Sequence, residues 1–395
     1  MFLKKTTRSP IPAMGVCRVF LRASALLGIA LTASSSHAHS IQTWRGLKYG
    51  MFLHYGMSTF DGVEQSDGKS PASMFKPSNQ DVEQWVRVAK GAGMKYAVLI
   101  VKHTAGFCLW DSKVIYKGAE FDYDVGASPV KTDIVGEFMK ACGKYGIVPG
   151  IYYNTMDRHS GNPTVQWNPK LPFLTPEYFQ LMQDHLTELH ALYPNIGIQW
   201  IDIPRQLDAE QRTILYDLVH KLNPGCLVEY NYGTESRGIT GDYTIDIAAK
   251  VTWPSDILNS EIGTIKTPFK VQQTYQGKTY ELGYEHCVSL AGSWFWTPGT
   301  AAKPVATITG VYNSVQALNG NLLLNVPPDQ TGQIPDAFVK RLNEIRDALK
   351  LDTTTTPTGL KYPPSRQGLF QRGKGTREEF NTLGQEVPGP AVEAL

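Results

Sequence analysis

The sequence predicts an α/β protein of the (β/α)₈, TIM-like barrel class. Strand-like and helix-like runs alternate from about residue 47 to residue 350, and eight strand-like runs are found. Several of these runs end in polar residues that could bind or cleave a sugar. Alternation of this kind is typical of a parallel sheet, in which the carboxyl ends of the strands face one crevice.

The first half of the barrel is predicted from hydrophobic periodicity. Thr132 is predicted to be the N-cap of the second helix, and Thr175-Pro176-Glu177 has the cap, proline and early acid of a helix start. The predicted strands are 47–54, 96–102, 147–153 and 196–202, and the predicted helices are 81–92, 133–145, one that begins at 175, and 209–222.

The second half continues the alternation, with a loop-rich stretch from 233 to 283. Asn223-Pro224-Gly225 ends the fourth helix. The predicted strands are 227–232, one near 250–253, 287–295 and 321–326, and the predicted helices are 306–318 and a last one whose apolar face is Phe338, Leu342, Ile345 and Leu349.

Three segments are predicted along the chain. Basic residues precede an apolar run at 23–31 that is too short to span a bilayer, and small residues follow to Ala38, as in a signal peptide. We therefore expect an exported protein, periplasmic or secreted, with no membrane span after removal of the leader; a membrane anchor is the alternative. The segments are a signal peptide at 1–38, the catalytic barrel at 39–351, and a polar, disordered tail at 352–395.

Composition and motifs argue against several classes of partner. The net charge is +2 and no Lys/Arg stripe is present, so neither nucleic acid nor an anionic membrane is expected to bind. Strand one lacks His-x-His and the cysteines lack C-x-x-C spacing, so no metal and no other cofactor is expected. The four cysteines could form disulfides in an exported protein, and buried free thiols are the equal alternative; they are Cys108, Cys142, Cys226 and Cys287.

Asp202 carries the clearest signal of chemistry. It follows Trp200-Ile201 at the predicted mouth of the barrel, where desolvation and neighbouring groups tune the reactivity of an acid. The structural alternative is a carboxylate that caps the next turn or pairs with Arg205.

A sugar-cleaving site needs a second carboxyl group across the scissile bond. Glu261 lies in a long predicted loop, and Glu285, before Cys287 at the start of strand seven, is the competing candidate. For either glutamate the structural alternative is a solvated surface acid.

Two histidines end neighbouring strands. His54 follows strand one and His103 follows strand two, and neutral imidazoles there can bond sugar hydroxyls. A single histidine in such a position is commonly structural, but two on adjacent strands favour a shared site.

Together these residues resemble the α-L-fucosidases of glycoside hydrolase family 29 across roughly residues 43 to 350. The ordered set of matching segments is specific, although no single segment is. The matching segments are Phe52-Leu53-His54-Tyr55-Gly56, Glu64, Lys102-His103 with Gly106 to Trp110, Gly150-Ile151-Tyr152, Trp200-Ile201-Asp202, Ser289 to Phe295, and Asn319 to Pro328.

The resemblance implies roles for individual residues. Asp202 matches the nucleophile that forms a covalent fucosyl-enzyme, so retention of configuration is expected. Asn259 to Gly263 resembles the segment that holds the acid/base in the branch preferring α-1,3/1,4-linked fucose, which favours Glu261; Glu285 matches a glutamate of some other members. The positions that bind fucose or line its pocket are matched by His54, Glu64, His103, Tyr152, Trp200 and Trp294.

The sequence departs from the family at three places. Thr104 and Ala105 replace a histidine and an acid after His103, Ile203-Pro204 follows the nucleophile where glycine is usual, and the tail is too short for the family's C-terminal β-sandwich. We expect an exo-acting retaining α-L-fucosidase that removes terminal α-L-fucose from oligosaccharides or glycoconjugates. The departures leave two alternatives: a retaining glycosidase for another 6-deoxy or related sugar, and a catalytically silent carbohydrate-binding barrel.

Overall fold

A computed structural model describes residues 41–161, 174–231, 254–261, 272–275, 278–355, 379–380 and 386–387. Within this part of the chain, eight parallel strands form a closed barrel, each hydrogen-bonded to its neighbours in sequence, and the last pairs with the first. The barrel expected from the sequence is confirmed.

The barrel strands are short and almost wholly buried. They are β1 (Tyr49–Leu53), β2 (Tyr96–Lys102), β3 (Val148–Asn154), β4 (Ile198–Asp202), β5 (Leu227–Tyr230), β6 (Ile257–Ser260), β7 (Gly283–Ser289) and β8 (Asn321–Asn325). Continuous burial explains why the sequences of β1 to β4 read largely as apolar runs rather than as alternating ones.

Six longer helices surround the barrel in the described part of the chain. They are α1 (Val82–Gly91), α2 (Ile134–Tyr145), α3 (Pro176–Leu192), α4 (Ala209–Leu222), α5 (Val305–Ala317) and α6 (Asp336–Leu349). Thr175 caps α3 as expected, since its hydroxyl accepts from the Tyr178 N–H. Between β6 and β7, the described residues form an antiparallel hairpin of Gln272–Tyr275 and Lys278–Glu281.

The predicted N-cap of α2 was wrong by one residue. Asp133 is the cap, because its carboxylate accepts from the Gly136 N–H at 2.8 Å, whereas the Thr132 hydroxyl donates to the Val130 carbonyl. Both residue types are good caps, so the sequence pattern could not separate adjacent positions.

The predicted sixth strand was also wrong. Residues 250–253 lie outside the described residues, and the sixth barrel strand is Ile257–Ser260. Its second half consists of two buried polar residues, Asn259 and Ser260. They can be buried because their side chains bond side chains of β7 at 3.4 and 2.7 Å. Glu261 therefore follows a barrel strand directly instead of lying within a long loop.

The seventh strand begins earlier than predicted. It runs from Gly283 to Ser289 instead of 287–295, so Glu285 lies within the strand. Buried tyrosine, glutamate and histidine in its first half masked the strand in the sequence.

The short helix Ile41–Arg45 packs against the amino-terminal ends of barrel strands. Trp44 belongs to the cluster inside the barrel, and its carbonyl accepts from the Asn321 side chain at 2.8 Å. Gly283 is required beside it, because a Cβ there would lie 2.8 Å from the Trp44 ring. With this end packed, the carboxyl ends of the strands are left to build a site.

The four cysteines of the described residues are buried free thiols. In the part of the chain that the structure describes, no helix combines the length and apolarity needed to cross a membrane. The predicted leader at 1–38 and most of the tail lie outside the described residues; within the tail, Glu379–Phe380 pairs with Glu386–Val387.

Candidate active site

Asp202, the last residue of β4, accepts hydrogen bonds on both carboxylate oxygens from described neighbours. The Tyr152 hydroxyl and the Asn154 amide (3.0 Å) donate to Oδ2, and the Asn231 amide (2.7 Å) and the Ile203 backbone N–H (2.8 Å) donate to Oδ1. The register of the barrel sets this up, because Asn154 on β3 pairs directly with Asp202. Donors on both oxygens favour an ionised carboxylate and fix its orientation.

Glu261 faces Asp202 across a shared donor. The Asn231 side-chain nitrogen that donates to Asp202 Oδ1 also donates to Glu261 Oε1 at 2.9 Å. The two oxygens can be separated by no more than the sum of these bond lengths, about 5.6 Å. Retaining glycosidases place their carboxyl groups roughly 5 to 5.5 Å apart, and inverting enzymes place them about 6.5 Å or more apart.

The environment of Glu261 suits a proton donor. Burial in the site, and then the negative charge of Asp202, raise the pKa of Glu261 to about 7, against the opposing effect of the Asn231 hydrogen bond. A carboxyl group with this pKa holds its proton at mildly acidic pH, whereas the donors on both oxygens of Asp202 favour its charged form. Two carboxyl groups with separated protonation states are the usual arrangement for acid/base and nucleophile roles.

Aromatic and imidazole rings form one wall next to the acids. The His54 and His103 ring centroids are 5.7 Å apart, and those of His54 and Trp294 are 5.1 Å apart. His103 stacks on Tyr152 at 5.8 Å, and the Tyr152 hydroxyl bonds Asp202. His54, His103, Tyr152 and Trp294 therefore form a connected set of rings that ends at Asp202.

The hydrogen bonds of His54 assign its tautomer. Its Nδ1 lies 2.8 Å from Asn325 Oδ1, and the Asn325 nitrogen donates to the Trp294 carbonyl (2.7 Å) and the Ser289 hydroxyl. Since the asparagine oxygen must accept, His54 Nδ1 carries the proton and Nε2 is an acceptor. Burial lowers the pKa of His54 to about 3, which keeps the ring neutral.

His103 is oriented by the residue that departs from the family pattern. The Thr104 hydroxyl lies 3.2 Å from His103 Nδ1 and is buried, and the Thr104 carbonyl accepts from the Arg158 N–H. Beneath this loop, Lys102 and Asp157 form an ion pair of 3.1 Å with no exposure. Burial is the main reason that the pKa of His103 lies well below its ordinary value.

Glu64 connects two loops at the wall. Its carboxylate accepts from the backbone N–H of Trp294 at 2.8 and 3.0 Å, and from that of Phe295 at 3.3 Å. Burial raises the pKa of Glu64, while these N–H groups lower it. The carboxylate thus positions Trp294, and it retains acceptor capacity toward a bound hydroxyl.

Trp200 and Glu285 lie deeper than the other expected site residues. Both are fully buried, and the Trp200 indole donates to Glu285 at 3.0 Å, as does the Tyr96 hydroxyl at 2.6 Å. Burial raises the pKa of Glu285 to about 7. The stacked rings of Tyr152 and Trp200 separate this acid from Asp202.

The expected residues thus fall into two groups. The structure brings together Asp202, Glu261, His54, Glu64, His103, Tyr152 and Trp294, and it places Trp200 and Glu285 beneath them. Sequence reasoning missed Asn154 and Asn231, and it treated Asn325 only as part of a motif. Each ends or directly follows a barrel strand, the same signal that identified Asp202.

The chain is similar to several known proteins that are named as fucosidases. The chain is 30% identical over 312 residues to Alpha-L-fucosidase 1 of Arabidopsis thaliana, covering 77% of this chain and 58% of the plant protein. It is similar in structure, at 22% identity and a TM-score of 0.62, to alpha-L-fucosidase isoenzyme 1 from Paenibacillus thiaminolyticus, covering 82% of this chain and 79% of that one.

A third relative is a trapped covalent intermediate of an alpha-L-fucosidase from Bacteroides thetaiotaomicron with 2-fluoro-fucosyl fluoride. Its TM-score is 0.60 at 21% identity, covering 78% of this chain and 74% of that one. The chain thus spans little more than half the length of the plant relative, and the two solved structures support its fold. The family model described as Alpha-L-fucosidase matches residues 69–353, well over half of the sequence. The chain belongs to the alpha-L-fucosidase family.

Proposed function

We propose that this protein is an exo-acting retaining α-L-fucosidase with Asp202 as nucleophile and Glu261 as acid/base. The observation that carries the proposal is that one Asn231 nitrogen bonds both carboxyl groups. This limits the distance between Asp202 Oδ1 and Glu261 Oε1 to about 5.6 Å. The assignment of fucose as the substrate sugar rests on the family and on the names of the relatives.

The mechanism follows from the two acids. An Asp202 oxygen forms a bond to the anomeric carbon as the bond to the leaving oxygen breaks, and Glu261 gives its proton to that oxygen. Water then attacks the anomeric carbon, Glu261 takes a proton from it, and the bond to Asp202 breaks. Two inversions at one carbon give net retention.

Around the sugar, the wall residues have separate roles. His54 Nε2 accepts from one hydroxyl, and Glu64 accepts from others beside the Trp294 ring. His103 and Tyr152 complete the pocket next to the nucleophile. A terminal, unbranched α-L-fucosyl unit of an oligosaccharide or glycoconjugate is the proposed substrate.

For linkage, the proposal is the α-1,3/1,4-preferring branch. Its support is that Asn259 to Gly263 resembles the branch's Gly-Asn-Glu-x-Gly segment at Glu261 and Gly263, with the acid beside Asn231. Comparing α-1,2-, α-1,3-, α-1,4- and α-1,6-linked fucosyl oligosaccharides tests this. Faster release from the α-1,2 or α-1,6 compounds would contradict it.

The central test is hydrolysis of 4-nitrophenyl α-L-fucoside. The purified protein should release nitrophenol and, by ¹H NMR, α-L-fucose as the first-formed anomer. Asp202→Ala should lower kcat by about 10³-fold or more, because no covalent intermediate can form. Glu261→Ala should retain more activity on this good leaving group than on an alkyl fucoside, which needs the proton.

Different outcomes separate this proposal from other functions. First-formed β-L-fucose would refute retention, and faster cleavage of another aryl glycoside would refute the sugar assignment. Binding of L-fucose without turnover would instead indicate a carbohydrate-binding barrel.

We also propose export, supported by the sequence of residues 1–38. Mass spectrometry of the protein recovered from its native cells should give a chain that begins near residue 39. An intact Met1 or an uncleaved leader in the cytosolic fraction would contradict export.

A further inference from the structure

Asn231 follows β5 and is held in place by its neighbours. It is 4% exposed, and its backbone N–H donates to the Ile201 carbonyl at 2.9 Å, beside the nucleophile. Its amide orientation is set by the two acids, because an oxygen in place of Nδ2 would face two acceptors. Among the described residues, Oδ1 has no hydrogen-bond partner.

We propose that Asn231 is a positioning residue whose one side-chain nitrogen serves both catalytic carboxyl groups, fixing their spacing and stabilising whichever of them bears the negative charge. The inference rests on the proposed function, since it assigns a task within that reaction. It concerns how the two steps share a single donor.

The charge balance of the reaction explains why one nitrogen can serve both steps. In the first step Asp202 becomes a neutral ester, and Glu261, having lost its proton, becomes a carboxylate. In the second step the charge returns from Glu261 to Asp202. Asn231 Nδ2 contacts both charged sites already, so it stabilises each without moving, and preorganised donors are most effective when nothing must rearrange.

The same nitrogen selects the oxygen that donates the proton. Glu261 Oε1 accepts from Asn231, and the hydroxyl oxygen of a carboxylic acid is a poor acceptor, so the proton resides on Oε2. Oε2 is therefore the atom that protonates the leaving oxygen and later takes a proton from water. A second, competing proton position is disfavoured.

Asn154 offers a matched control. Its amide donates to Asp202 Oδ2 at 3.0 Å and to the Tyr152 hydroxyl at 2.7 Å, and no bond to Glu261 is present among the described contacts. Both residues are asparagines that donate to the nucleophile, so their alanine variants differ in whether Glu261 also loses a donor.

The test compares Asn231→Ala and Asn154→Ala on aryl and alkyl α-L-fucosides. Loss of one preorganised donor at a developing charge lowers kcat by about 10²-fold or more, and both variants should be slow. In the wild type, the Asn231 hydrogen bond lowers the pKa of Glu261. Asn231→Ala removes this bond and should raise that pKa, which moves the alkaline limb of the kcat/KM profile to higher pH. Asn154→Ala should leave the limb in place.

Asn231→Asp keeps the side-chain shape and replaces the donor with an oxygen of a third carboxyl group. It should be slower than Asn231→Ala, with the alkaline limb displaced further upward by the added negative charge. Thermal unfolding followed by circular dichroism identifies variants that do not fold, and if the alanine variant fails, the aspartate variant decides.

Two results would overturn the inference while the wild type remains an active fucosidase. One is near wild-type kcat in a folded Asn231 variant. The other is an alkaline limb at the wild-type pH in a folded Asn231 variant, with a rate loss no different from that of Asn154→Ala. An inactive wild type would refute the proposed function and this inference with it.

Discussion

Glu261 is the residue on which the pH dependence should turn. The first step of the proposed mechanism needs its protonated form, and burial together with the Asp202 charge raises the pKa of Glu261 to about 7. We therefore predict that kcat/KM for an alkyl α-L-fucoside falls as pH rises through about 7. A rate that increases across neutral pH would contradict this role.

The Asp202 charge is one of the two causes of that elevated pKa, so removing it should lower the pKa of Glu261. In Asp202→Asn, ¹³C NMR of Glu261 should report a pKa below the wild-type value. Repulsion between the two negative charges raises the pKa in the wild type, so removing one charge should lower it. An unchanged value would mean that burial alone is responsible.

At His54, the neighbouring amide determines what the imidazole can bind. Asn325→Asp would lose the donors to the Trp294 carbonyl and to Ser289, and it would place a carboxylate at His54 Nδ1. The carboxylate favours the imidazolium, which raises the pKa of His54 from about 3. A protonated Nε2 can no longer accept from a hydroxyl, so kcat/KM should fall by about 10- to 100-fold.

Ser289→Ala is the matched control, because it removes one partner of Asn325 and leaves the Trp294 carbonyl to hold the amide. It should change kcat/KM little. The ¹⁵N shifts of His54 check the tautomer directly: in the wild type, Nε2 should be unprotonated. A protonated Nε2 there would refute the assignment.

At the scale of elements, a buried ion pair supports the loop that follows β2. Lys102 and Asp157 have no exposure, and Lys102 also donates to the Tyr178 hydroxyl of α3 at 2.9 Å. Lys102→Met would leave Asp157 buried without its counter-ion. We predict a loss of about 3 to 5 kcal/mol in the free energy of unfolding, measured by urea denaturation.

Lys144→Met is a control with the same chemistry at the surface. Lys144 and Glu83 are 2.7 Å apart, but both side chains are exposed. Exposed ion pairs contribute little because water and salt screen them, so this variant should unfold close to the wild-type urea concentration. Equal losses in the two variants would show that burial of the Lys102 pair has no special cost.

Strands with long apolar runs were predicted well, and β6 and β7, whose buried residues are largely polar, were misplaced. β2 was predicted at its observed bounds because every residue of this barrel strand is buried and most of them are apolar. β6 was misplaced because Asn259 and Ser260 are satisfied by β7, a partner that only the folded chain supplies. A polar residue that bonds inside a barrel looks like a loop residue in sequence.

The same limit applied to the site. Asp202 stood out because an acid after an apolar strand is unusual, whereas Asn231 did not, because asparagine is common where strands end in turns. Its importance comes from the two carboxyl oxygens it meets, one on β4 and one after β6. Such a convergence depends on the pairing of neighbouring strands, which places β4, β5 and β6 side by side.

At the scale of the whole molecule, we expect one end of the barrel to contribute stability and the other to carry the proposed catalysis. The acids and rings of the site lie at the carboxyl ends of the strands, and Trp44 packs into the opposite end beside Gly283. Trp44→Ala should therefore lower the free energy of unfolding by about 3 to 5 kcal/mol. At a temperature where the variant stays folded, kcat/KM for 4-nitrophenyl α-L-fucoside should remain near the wild-type value.

Gly283→Ala tests whether that end is packed as described. A Cβ at Gly283 would lie 2.8 Å from the Trp44 ring and 3.2 Å from Ile257. Overpacking in the single variant should therefore lower the free energy of unfolding by about 1 to 3 kcal/mol. In the Trp44→Ala background the ring is gone, and the new methyl group enters the space it leaves. Urea denaturation of the four proteins in this double-mutant cycle should therefore give a smaller cost for Gly283→Ala when Trp44 is absent. Additive costs would mean that the two residues do not share this packing, because a direct contact must couple them.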